Sequence, residues 1–534
     1  MYDMTEFAAT AHPTWFGLGE VLDHHVAARP DDVALVCGDA RLSWRRFGTR
    51  VDALARVFSA AGVGPGDRVL WLAQNCHRML EALFAAARTG AVLSPLNWRL
   101  SEPELRFVIE DADPKLVIGQ RTEIGELVTR VRDAAPGARW IGHDDEGPEG
   151  YEAVLVEAGP AGALPVDGGT GASRPPVDPT SPVLMLHTAA FDGRPNGALL
   201  SHTALLAQTT TLRLLEGLDD SEVFLNSGPL FHIGTLRRTL AVAHAGGRNV
   251  MVRRVDAEEL CRLIHTERCT GAFLQRPTME QMVTVNAHRR YDLTSLRAAS
   301  GPPGWDDMIT VATPPVRSGY GQTELAGVVT FTHRDRPSIG GRPGPLAAVE
   351  ILDPDGHPVP PGGVGEIAVR GPMVMNGYHR RPELTAARTR GGWRHTGDLG
   401  RREVDGSISF VGPLQQMIKS AAENIYPVEV ETVLRTHPDV EAAAVIGVPD
   451  PTWGQRVLAV VVPRPGVAPT AREIIEHCRA GLAGYKRPRL VEFADALPLR
   501  GGATDRAVDR AVDYAVDYEA LDARYGGGGY PGSG

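Results

Sequence analysis

Lysine is nearly missing from this chain: Lys115, Lys419 and Lys486 are the only three in 534 residues, and arginine supplies almost all the positive charge. The formal net charge is -10, and no basic stripe runs along the chain. That excludes a nucleic-acid binder, which needs clustered cations to exchange for phosphate counterions. Cysteine is sparse too. Cys37, Cys76, Cys261, Cys269 and Cys478 are scattered without a paired framework, which reads as a reducing, cytosolic setting. No window approaches the ~20 apolar residues of a membrane span. The opening Met1-Tyr2-Asp3-Met4-Thr5-Glu6 lacks the basic and apolar regions of a secretory signal. Neither a GxxxxGK[ST] phosphate loop nor a G-x-S-x-G elbow occurs, so the ordinary P-loop ATPase and serine-hydrolase readings fail.

What is present describes a globular α/β protein with an apolar fraction of 43%, too long for one compact core. Arg68 to Ala73 reads as a buried strand, His77 to Thr89 as an amphipathic helix, and Ala91-Val92-Leu93 as the next strand, which together make a βαβ unit. Gly159 to Pro182 is a Gly/Pro/Ala-rich connector. It leads into the short apolar strand Val183 to Leu186. Glu403 to Val411 reads as a hairpin about Asp405-Gly406. Beyond it, Val428 to Thr436, Val440 to Val448 and Val457 to Val462 form a pattern of their own. We expect a large multi-subdomain N-terminal α/β body over 1–411, a small α+β domain over 412–520, and a disordered Gly-rich tail over 521–534. From Asp505 a four-residue period places Asp505, Asp509, Asp513 and Asp517 in one register and Val508, Val512 and Val516 in another. That spacing suits an amphipathic terminal helix, although a low-complexity expansion without a role explains it more simply.

Four segments follow in order: His187 to Gly197; Tyr320-Gly321-Gln322-Thr323-Glu324; Thr396-Gly397-Asp398; and Lys419-Ser420-Ala421-Ala422-Glu423-Asn424-Ile425-Tyr426-Pro427. Together they resemble the adenylate-forming superfamily of acyl-CoA synthetases, luciferases and peptide-synthetase adenylation domains, and the resemblance runs from about Trp15 to about Arg510. It implies a small domain that swings about a hinge, and a reaction in which a carboxylate attacks the α-phosphorus of ATP. Two anions must then meet, so the site needs backbone donors, Mg²⁺ and cations. By resemblance Glu324 binds Mg²⁺, Thr323 contacts phosphate, Asp398 accepts the ribose hydroxyls, and Tyr320 and Gly321 lie against the adenine. Gly193, Arg194 and Gly197 shape the phosphate loop. Lys419 belongs to the thioester-forming pose. His232 flanks the carboxylate pocket or is a satisfied structural histidine, and Gly301 lies in a pocket segment.

The departures from the family pattern remove cations, hydroxyl donors or backbone freedom. Ala189, Ala190, Phe191 and Asp192 replace small hydroxyl donors, and Asn196 stands at a lysine position, with Arg194 close enough in sequence to restore charge. The hinge reads Gly412-Pro413-Leu414-Gln415-Gln416 without its usual arginine, and Pro413 fixes φ. Ala421-Ala422 replaces a Gly-Gly pair. Near the C-terminus the catalytic lysine is replaced by Ala503 or Thr504, according to the direction of counting, with Arg500 and Arg506 nearby. Cys261, His265 and Cys269 could ligate a metal only from one continuous helix, and fall short of the usual four ligands. The leading expectation is an acyl-CoA synthetase-type enzyme using ATP, Mg²⁺ and CoA on a small carboxylic acid, with attenuated activity. The alternatives are a non-catalytic nucleotide- or acyl-CoA-binding relative and an enzyme that keeps only the transfer of a preformed acyl-adenylate to CoA.

Overall fold

The computed structural model describes residues 16–159, 177–188, 193–420, 423–499 and 516–528. Two largely parallel sheets dominate the body. The first runs in the order Gly377–Tyr378, Asn196–Ser201, Pro182–Thr188, Val92–Pro95, Arg68–Leu72, Leu116–Gly119, Arg139–Gly142. The second runs Gly271–Phe273, Val223–Asn226, Arg248–Met251, Val33–Cys37, Ala40–Ser43. The helix His77–Thr89 packs against strands of both sheets. This explains why Met79 through Arg88 are all buried: a helix covered on every side has no solvated face. Its two buried charged side chains are paired, Glu81 with Arg50 at 2.6 Å and Arg88 with Asp23 at 2.9 Å, as buried charges must be.

The expected βαβ unit is present as Arg68–Leu72, His77–Thr89 and Val92–Pro95. A third, antiparallel sheet contains the long strand Trp393–Arg402, which turns at Asp405-Gly406 into Ile408–Pro413. Gly412 and Pro413 pair with Leu399 and Asp398 in that sheet. The body's pairing therefore runs two residues past the boundary read from sequence, because a glycine and a proline at the end of an edge strand forgo no ladder bond.

The small domain is built on the antiparallel pair Val440–Asp450 and Gly454–Pro463, flanked by the hairpin Ile418–Ser420/Glu423–Ile425 and the strand Leu490–Phe493. Helices Pro427–Leu434 and Ala471–Gly481 cover one face. On the other face lies helix Tyr518–Tyr525, with Leu521 buried beside Ile446, Val448 and Leu458. Residues 521–525, read from sequence as the start of a structureless tail, are thus helical, because Leu521 and Tyr525 find apolar partners on the sheet. Most of the four-residue repeat, with Ala421, Ala422, Ala503, Thr504, Arg500 and Arg506, lies outside the described residues.

Candidate active site

A cavity of about 900 Å³ opens between body and small domain. At one end the strand Gly321–Gln322 pairs with Gly327–Val328. A Cβ on Gly321 would lie 2.2 Å from the Gly327 carbonyl oxygen, so only glycine permits this approach. The pairing sets Tyr320 nearly parallel to Phe410, with ring centroids 5.9 Å apart. The Tyr320 hydroxyl and the Gln322 Nε2 each donate to Asp398 Oδ2 at 2.7 Å. Burial, with the Glu324 charge adding to it, pushes the Asp398 carboxyl up to about 6.

Thr323–Leu325 forms a single 3-10 turn that directs Glu324 inward. The Tyr378 hydroxyl donates to Glu324 Oε1 at 2.7 Å, and Arg394 Nη2 donates to that hydroxyl at 2.6 Å. Arg394 is buried 3.8 Å from the same carboxylate oxygen, and its Nε and Nη1 have no partner among the described residues. Glu324 is a hard oxygen donor on the cavity wall, the type of ligand that suits Mg²⁺.

Across the cavity the small domain presents its hairpin. Lys419 Nζ donates to Asn424 Oδ1 at 2.6 Å, and its backbone N–H to Gln455 Oε1 at 2.8 Å. Burial lowers the Lys419 pKa. Glu423 reaches the body, 3.1 Å from His232 Nε2 and 3.7 Å from Arg99. Burial alone would raise the Glu423 carboxyl, but the His232 bond and the neighbouring cations hold it below the usual range. His232 itself caps helix Ile233–Ala245.

Tyr320, Gly321, Thr323, Glu324, Asp398, His232 and Lys419 therefore line one cavity. Gly193, Arg194, Gly197 and Gly301 do not. Arg194 is exposed, with its guanidinium 5.8 Å from the Phe107 ring centroid. Asn196 is buried in the sheet opposite Thr188. Gly197 leaves room for Met185, whose sulfur would be 2.7 Å from an added Cβ. Gly301 abuts Trp305 in a turn closed by its N–H on Asp306 Oδ1 at 3.0 Å. The helix Ala257–Glu267 ends at Arg268, whose φ is +55°, so Cys269 leaves the face carrying Cys261 and His265. Sequence reasoning missed Gln322, Tyr378, Arg388, Arg394 and Phe410, all on this cavity. Gln322 carried a signal inside the contiguous Tyr320-Gly321-Gln322-Thr323-Glu324 motif, and Arg394 as a cation two residues before Thr396-Gly397-Asp398.

The family model described as AMP-binding enzyme matches residues 22–379, and that of the AMP-binding enzyme C-terminal domain matches residues 429–502. An indoleacetate–CoA ligase from Aromatoleum aromaticum is 33% identical over 500 residues, covering 90% of this chain and 95% of its own length. A feruloyl-CoA synthase from an Amycolatopsis species is 36% identical over 500 residues, covering 91% and 96%. Among solved structures, an amide bond synthetase from Marinactinospora thermotolerans superposes with a TM-score of 0.76 at 26% identity, covering 96% of this chain and 100% of that one. With both family models matched in order and these ligases similar over nearly its full length, the chain belongs to the AMP-binding, adenylate-forming enzyme family.

Proposed function

We propose that this protein activates a small carboxylic acid with ATP and passes the acyl group to CoA, with an attenuated first step. The observation that carries this reading is a single cavity holding the Tyr320/Gln322/Asp398 group at one end and the Lys419 hairpin at the other. In the first half-reaction a carboxylate oxygen attacks the α-phosphorus and pyrophosphate leaves. Asp398 would take the ribose hydroxyls, Tyr320 and Phe410 would bound the adenine, and Arg394 would offer unpaired donors to negative charge. Glu324 would hold Mg²⁺, which screens the charge of the phosphates. In the second half-reaction the CoA thiolate attacks the acyl carbonyl and AMP departs. The hairpin facing the cavity supports assigning the present arrangement to this transfer pose, and the free thiols suit a cytosolic enzyme.

Attenuation rests on the lost lysines. Asn196 is buried in the sheet, and Arg194 turns away to Phe107. The same losses motivate a second reading, in which only transfer from a preformed acyl-adenylate survives. ATP–pyrophosphate exchange beside calorimetric titration with ATP, AMP and CoA separates the two. Exchange above background supports full synthetase activity. AMP and CoA binding with no exchange supports transfer alone, and absence of AMP binding defeats both.

A further inference from the structure

Helix Ile233–Ala245, which begins at His232, carries two adjacent arginines with opposite circumstances. Arg238 is held by Glu216 and by Glu222, the latter at 3.3 Å. Arg237 lines the cavity instead. Its Nη2 donates to Ser318 Oγ at 3.2 Å, its Nε has no partner, and no carboxylate pairs with it among the described residues. Its stem is packed so closely that its Cδ would lie 2.8 Å from a Cβ added to Gly327. Burial pushes the Arg237 pKa down to about 10, still far above neutrality, so the group stays charged.

A guanidinium walled into a cavity without a counter-ion is costly unless an anion arrives to pair with it. At the nucleotide end Arg394 already offers its unpartnered Nε and Nη1 to the phosphate charge, which leaves Arg237 for a different anion. The wall of the same cavity includes the apolar side chains Phe273, Ile233 and Val328. Such a wall suits a short hydrocarbon linker. We propose that Arg237 is a specificity-determining residue that receives a second carboxylate at the far end of the substrate, so that the acid activated is an α,ω-dicarboxylic acid. This rests on the proposed acid activation and narrows its substrate class. Bidentate pairing of guanidinium with carboxylate supplies both geometry and strength, and Ser318 Oγ braces one end of the fork.

The test compares non-hydrolysable acyl-sulfamoyl adenosines by calorimetry, so that turnover is not required. Succinyl, glutaryl, adipyl and suberyl analogues are set against the butyryl, pentanoyl, hexanoyl and octanoyl ones, with AMP as the control. In the wild type at least one diacid analogue binds about tenfold or more tighter than its monoacid partner. Arg237→Met removes that preference and leaves AMP affinity unchanged, while Arg237→Lys keeps part of it. Equal binding of diacid and monoacid analogues overturns this inference alone. So does an Arg237→Met variant that weakens AMP as much as the diacid analogue, which would place the arginine on the nucleotide. AMP binding with neither analogue series bound overturns the acid-activating reading as well.

Discussion

Asp398 shows how much one residue can carry. It accepts two hydrogen bonds on Oδ2 from Tyr320 and Gln322 while buried, and burial holds its pKa up to about 6. Replacing it with alanine removes the proposed acceptor for the ribose hydroxyls, each bond to a charged group being worth about 1.5–3 kcal/mol, so AMP affinity should fall at least about tenfold by titration. The protonated carboxyl is a poorer acceptor. Affinity should therefore decline as pH falls through about 6. Adenosine is the right probe, because the phosphate of AMP titrates near the same pH. An Asp398→Asn variant should give a flat profile. The sign for folding is the reverse: a raised carboxyl pKa makes the ionised form unfavourable in the folded state, and that cost is relieved as pH falls through the same value. Arg194, by contrast, lies over Phe107 away from the cavity lining. Arg194→Ala should leave ATP affinity within about twofold, as surface changes of roughly half a kcal/mol do.

The hairpin Ile418–Ser420/Glu423–Ile425 is the element to which the proposed transfer step is assigned. Its register pairs Lys419 with Asn424, and its far end carries Glu423 to His232 and Arg99 on the body. Lys419→Ala should slow transfer from a supplied acyl-adenylate to CoA, read by thioester formation, and leave pyrophosphate exchange unchanged. The C-terminal loop should respond in the opposite sense. Ala503→Lys, or Thr504→Lys, returns a lysine to the position where the family pattern keeps one, and on the proposed mechanism should raise exchange about tenfold without tightening CoA binding. Because the two directions of counting differ by one residue, the gain should stay below the ~10²–10³ of a well-placed donor. If both insertions leave exchange flat, Arg500 or Arg506 becomes the group to remove.

At the scale of the whole molecule, the pose is held by a buried bridge between domains. Lys486 Nζ lies 2.7 Å from Glu104 of the body and 2.7 Å from Glu429 of the small domain. Ala483 N–H donates to Glu104 at 2.9 Å, and Ser101 Oγ to the Gly481 carbonyl at 3.1 Å. Burial opposes the charge on Lys486, but the two carboxylates more than offset it and raise its pKa. The Lys486 ammonium therefore keeps its charge across the neutral range, although burial pushes the Glu429 carboxyl upward. Removing one partner of a buried pair costs about 3–5 kcal/mol. Glu104→Gln should accordingly loosen the docked small domain, slowing thioester formation by about tenfold or more while pyrophosphate exchange persists. Equal slowing of both half-reactions would show that the bridge stabilises the fold rather than one pose.

The α/β class, the βαβ unit and the cavity residues Tyr320, Thr323, Glu324, Asp398 and Lys419 were legible from the sequence. Strands and helices declare themselves through local periodicity, and a motif such as Tyr320-Gly321-Gln322-Thr323-Glu324 is contiguous. The arrangement across the cavity was not legible. Arg394 meets Glu324 through Tyr378, and Lys486 meets Glu104, across long sequence separations that only folding closes. Cys37 and Cys76, scattered in the sequence, come to within 4.8 Å for the same reason. Arg194 and Asn196 mark the opposite limit: adjacency suggested that one could compensate for the other, whereas the strand Asn196–Ser201 buries Asn196 and leaves Arg194 outside the cavity lining. Sequence fixes which chemistry is available, because residue type sets charge and hydrogen-bonding capacity. Which groups act together depends on burial and distance, and those are properties of the packed sheets alone.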